Sequence, residues 1–107
     1  MSINNVVTFE SISPDMGIKS SAAAEIMLAG NPETITWPVF DSPDGKVNIG
    51  FWECEPYRKI KQSPNKVEYV YLLEGDVRLT DKEGNSKLFS TGQAFVIEPG
   101  FDGEWES

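Results

Sequence analysis

From residue 36 onward the chain is cut by turn signals at nearly regular spacing: "DSPDG", "SPN", "EG", "KEGN", "STG" and "EPG". Gly, Pro, Asn and Asp stop a helix after a turn or two but connect short strands readily, so little except a β architecture can be built over this stretch. The intervening runs agree. "KVNIGFWECEP" alternates Val47, Ile49 and Phe51 against Asn48, Gly50 and Trp52, imperfectly, as a strand with one mostly apolar face does. "VEYVYLLEGDVRLTDKEGNSKLF" reads as two strands across a tight "EGD" turn followed by a hairpin over "KEGN", with Val77 and Leu79 alternating against Arg78 and Thr80. "GQAFVIEPGFDGEW" adds a strand, a Pro-Gly turn and the start of a last strand. Short strands at this spacing predict a sandwich or jelly roll.

Residues 1–35 are patterned differently and are expected to form an extension packed on the domain of residues 36–107 or on a neighbouring subunit. "NNVVTFESI" predicts a short strand, "SPDMG" a turn, and "SAAAEIMLAG" a helix of about two turns stopped by Gly30. That helix is too short to stand without docking. Trp37 and Pro38 are expected to anchor the N-terminal segment.

Composition narrows the function. A length of 107 residues has room for one modest core. Nine basic against 17 acidic residues give a net charge of −8, which predicts no nucleic-acid partner and no attraction to an anionic membrane. No apolar run reaches the ~20 residues of a spanning helix, and the N-terminus lacks the build of a signal peptide, so a cytoplasmic location is expected. Cys54 is the only cysteine, which excludes an internal disulfide and a thiolate cluster. There are no histidines, and that single count removes Ser-His-Asp and Cys-His catalysis, histidine base catalysis and every imidazole metal site.

The stretch "EYVYLLEGDVRLTDKEGNSKLFSTGQAFVIEPGFDGEW" resembles the cupin superfamily. Glu68, six residues and then Gly75 match the end of the first cupin motif, while Gly92, Gly100 and Gly103 follow the second. The wording "TWPVF", "GFWECEP" and "PGFDGEW" is similar to the small single-domain branch related to the cupin domain of ureidoglycine aminohydrolase and to ethanolamine-utilisation cupins. The resemblance implies an all-β, double-stranded β-helix or jelly-roll barrel, with a short N-terminal strand and helical segment outside it. It also implies metal ligands that this sequence lacks. The histidine pair falls on Gln62 and Pro64 or on Lys61 and Ser63, and the last ligand position is Gly103. Only Glu68 remains, so no metal cofactor is expected. The family pattern continues past "GEW" with a further strand; its edge is expected to be taken by the N-terminal strand or left open, and an open edge favours a homodimer.

Strand alternation places Glu68, Val70 and Leu72 on one face and Val67, Tyr69, Tyr71 and Leu73 on the other. By the resemblance, the Glu68 face is interior, where a carboxylate must be paired, hydrogen-bonded or protonated. Candidate partners are Lys61, Arg58, Tyr57 and the indoles of Trp52 and Trp105. Glu68, with Lys61 or Tyr57 assisting, is the candidate catalytic group. Trp52, Phe95, Phe101, Trp105 and Arg58 are candidate ligand contacts, and the competing reading makes Glu68 the remnant of a vacated metal site. The expected role is to bind a small polar metabolite, or to convert one without metal. A metal-dependent activity like that of ureidoglycine aminohydrolase and a non-catalytic dimeric interaction or sensing module are the alternatives.

Overall fold

The computed structural model describes residues 2–107. Ten strands carry it: β1 (Ile18–Ser21), β2 (Met27–Gly30), β3 (Glu33–Asp41), β4 (Asn48–Cys54), β5 (Tyr57–Ser63), β6 (Glu68–Tyr71), β7 (Val77–Asp81), β8 (Ser86–Phe89), β9 (Ala94–Ile97) and β10 (Phe101–Glu106). All pairings between them are antiparallel, and the helical elements among the described residues are single 3-10 turns. Among the described residues no helix is long and apolar enough to cross a membrane. The expected all-β class is therefore what forms. The chain divides into two compact units, each built from two stretches of sequence.

The first unit comprises the chain up to Ser21 together with Glu33–Cys54. Its sheet has the order β1-β3-β4. Ser20 faces Thr34 across the first pair, and their hydroxyls lie 2.9 Å apart. Between Pro38 and Phe40 the β3–β4 register shifts, as expected where a proline removes a ladder donor. Trp37 donates its indole N–H to the Pro14 carbonyl at 3.1 Å, tying β3 to the 3-10 turn Pro14–Met16, so the anchoring role read for Trp37 has a hydrogen bond behind it. The strand predicted over "NNVVTFESI" does not form. That stretch makes 3-10 turns at Ile3–Asn5 and Phe9–Ser11, each opened by a hydroxyl (Ser2, Thr8) that accepts a backbone N–H, and Val6 stays 71% exposed. Local capping wins because no ladder is offered to the segment.

The second unit comprises Ala22–Pro32 and Glu55–Ser107. A five-stranded sheet of order β2-β5-β10-β7-β8 faces a two-stranded sheet of β6 and β9. The helix predicted for "SAAAEIMLAG" is a second departure. Only Ala24–Ile26 turns, as 3-10, and Met27–Gly30 become β2 on the edge of β5. A helix of two turns is marginal alone, whereas an open strand edge supplies partners to the backbone at once. The "KEGN" hairpin forms between β7 and β8, with the Asp81 amide donating to the Asn85 carbonyl at 2.8 Å and Gly84 at φ +89°, a value that glycine alone adopts freely. The "EGD" turn instead carries the chain from β6 in one sheet to β7 in the other.

The core of the second unit is formed by Tyr57, Leu72, Val77, Phe95, Ile97 and Trp105, each at most 8% exposed. Phe89 stacks on Phe95 with ring centroids 4.3 Å apart, and Phe95 meets Trp105 at 6.1 Å. The strand β10 sits at the centre of the larger sheet, paired on both sides. At Gly103 a Cβ would stand 2.0 Å from the Thr80 carbonyl oxygen and 3.0 Å from the Phe101 ring, so the ladder tolerates only glycine there.

Candidate functional site

In β5 the odd residues point toward the other sheet and the even ones away. Tyr57 and Ser63 are buried and Lys61 is half-buried, while Arg58 and Gln62 are exposed. In β6 the same rule turns Glu68 and Val70 inward, opposite Ile97 and Phe95, and leaves Tyr69 and Tyr71 outside. The two inner faces bring Lys61 to Glu68. Lys61 Nζ donates to Glu68 Oε1 at 2.7 Å, with the lysine side chain 17% exposed and the glutamate 39%. The ammonium also lies 5.9 Å from the centre of the Trp105 ring, within the range of a cation–π contact. The sequence asked which of several groups satisfies Glu68; the structure assigns Lys61. A recess of about 380 Å³ opens beside the pair, lined by Lys61–Lys66 and Glu68.

The other candidates fall in different places. Phe95 and Trp105 are core residues behind the pair, and Phe101 lies on the inner face of β10 opposite Ser63. Arg58 is on the outer face, where its Nε sits 3.4 Å from Glu104 Oε1, so it is not the cation of Glu68. Tyr57 stands at the far end of β5, four residues from Lys61, with the Lys59 ammonium 5.5 Å from its ring centre. Trp52 belongs to β4 in the first unit and is 42% exposed. Sequence reasoning missed Lys66, which gives no pattern because it follows a turn, and Phe89, whose place in the "SKLF" alternation did point inward.

An antiparallel β chain with a lone carboxylate directed inward at the start of β6, and a glycine, Gly75, in the turn that follows that strand, has the features of a cupin. Residues 41–107 match the family model described as the EutQ-like cupin domain, and the chain belongs to that family. No curated protein matches it.

The metal that cupins commonly carry does not fit the residues present here. Glu68 is engaged by an ammonium, Gln62 points outward and donates to Asp102 at 3.2 Å, and position 103 has no side chain and no room for one. Among the described residues no group of three or more Cys, Asp or Glu side chains is placed to hold a metal ion. With an ammonium against the carboxylate, the pair presents both hydrogen-bond donors and an acceptor.

Proposed function

We propose that the protein binds a small polar metabolite at the Lys61–Glu68 pair, without a metal. The observation that supports this is the pair itself. Two opposite charges, 2.7 Å apart, are held against Trp105 and border a recess of ligand size. Lys61 donates to Oε1, which leaves Oε2 of the 39% exposed Glu68 side chain as an acceptor for a ligand donor. The test is a thermal-shift screen of polar metabolites on the wild type and Glu68→Gln, with elemental mass spectrometry of the purified protein. Ligand-dependent stabilisation of the wild type that Glu68→Gln loses, with metal well below one ion per chain, supports the reading. Stoichiometric transition metal, or ligand shifts indifferent to Glu68, overturns it.

A second reading, a paired interaction module, has its own observation. The outer face of β6 and β9 presents Tyr69 (68% exposed), Tyr71 (52%) and Val96 (55%), flanked by Val67 (68%) and Leu73 (64%), with no charge among them. At the usual ~150–220 Å² per large side chain this is on the order of 500 Å². Two copies face to face would bury on the order of 1,000 Å², about the threshold for a specific interface. A chain of net charge −8 meets its own copy best through an uncharged patch. Sedimentation of the wild type against Tyr69→Glu/Tyr71→Glu decides this: the dimer is expected to dissociate, and a monomeric wild type refutes it.

A further inference from the structure

We infer that the recess beside Glu68 takes a small organic monoanion, a carboxylate that also carries a neutral hydrogen-bond donor such as a hydroxyl. This rests on the reading of that recess as a ligand site and goes further by naming what enters it. The argument begins from charge. The whole chain carries −8, yet the charged side chains lining the recess are Lys61, Lys66 and Glu68, two ammonium groups and one carboxylate. Glu68 is matched by Lys61 at 2.7 Å, which leaves one positive charge in surplus. The open recess at the other end of β5 provides the contrast: Arg58, Arg78, Asp76 and Glu106 line it, two side chains of each sign, with no positive surplus.

A surplus of one charge selects one negative charge on the ligand. A neutral ligand gains no charge attraction from the Lys66 ammonium. A dianion brings a second charge that no cation of the recess matches and that Glu68 and the acidic chain repel. A cation would compete with two ammonium groups for a carboxylate already taken. Ser63, 5% exposed, and Asn65 also line the space and can add neutral polar contacts. The volume of about 380 Å³ is at the low end for ligand pockets, which suits a compact metabolite. The donor of the ligand then meets Glu68 Oε2, the oxygen that Lys61 does not use. A hydroxy acid satisfies all of these groups together.

The experiment is an amide NMR titration of the full chain with three ligands of one carbon skeleton, lactate, 1,2-propanediol and 1-amino-2-propanol, and with inorganic phosphate. Lactate is expected to shift the amides of residues 61–68 saturably, to weaken as salt is raised, and to bind about tenfold more weakly to Lys66→Glu, a charge reversal at an exposed turn. Lys61→Met is expected to lose the binding, but Lys66→Glu carries the test because it leaves the ion pair and the core untouched. Diol binding as tight as lactate and lost in Glu68→Gln overturns the anion assignment while the metabolite-binding reading stands. The same holds if phosphate or the amine binds more tightly than lactate, or if Lys66→Glu leaves lactate binding unchanged. No saturable shift near residues 61–68 from any of the four overturns both.

Discussion

Removing the ammonium from Glu68 tests the central feature of the site through stability, before any ligand is known. In Lys61→Met the aliphatic stem can still cover Trp105, so the main loss is the charge 2.7 Å from Glu68 Oε1. Breaking a fully buried pair costs ~3–5 kcal/mol, and an exposed pair is worth under ~1 kcal/mol. With the lysine 17% and the glutamate 39% exposed, the pair lies between these limits. The expected cost of Lys61→Met is about 2 kcal/mol, equivalent to roughly 8–10 °C in Tm for a domain of this size. Glu68→Gln costs less, about 1 kcal/mol, because the amide oxygen still accepts from the ammonium. Urea unfolding of both single variants and the double variant gives the coupling energy, expected at about 1–1.5 kcal/mol with an unchanged m-value. Coupling below about 0.3 kcal/mol would refute the assignment of Lys61 as the partner that allows Glu68 to face inward.

Gly103→Ala forces a Cβ to 2.0 Å from the Thr80 carbonyl oxygen at the centre of the larger sheet, and a loss of about 3 kcal/mol or failure to fold is expected in expression and thermal melts. Phe95→Ala removes the ring that stacks on Phe89 and borders Trp105, with an expected cost of about 3–4 kcal/mol in urea unfolding. At the β7–β8 hairpin, the Asn85 backbone N–H holds the Asp81 carboxyl below its ordinary value of 3.8 against the opposing effect of burial, helped by the Glu83 backbone N–H, the Asn85 side chain and the Gly84 backbone N–H. A lowered folded-state pKa contributes stability that is fully present above the unfolded value and is lost as pH falls through the folded one. Asp81→Asn is therefore expected to be less stable than the wild type at pH 7, with the gap in urea midpoint closing below about pH 3.8. A gap constant from pH 7 to pH 3 would show that the carboxylate charge is not what holds the turn.

How much could be read in advance differs along the chain. Over residues 68–106 the period-two alternation placed Glu68, Val70 and Leu72 on one face and the tyrosines on the other, and the burial of these side chains follows that pattern. The hairpin over "KEGN" was likewise local, fixed by Gly84 and by Asp81 binding its own turn. At the N-terminus local signals misled. The alanines of residues 22–24 favour a helix and "NNVVTFESI" has strand composition, yet the edge of β5 recruited Met27–Gly30 and nothing recruited the other segment.

By itself the sequence determined the all-β class, the turns, the face on which Glu68 lies and the chemistry that a chain without histidine cannot perform. These follow from residue type and from spacing over a few positions, where backbone sterics and side-chain alternation act alone. Only the tertiary structure decided that Lys61 rather than Arg58 meets Glu68, that β10 occupies the centre of its sheet, and that Lys66 gives the recess its surplus charge. Each of these depends on which strands pair and in which register. That choice is made by pairing between segments as far apart in sequence as β2 and β5 or β5 and β10, and no local stretch of sequence contains it.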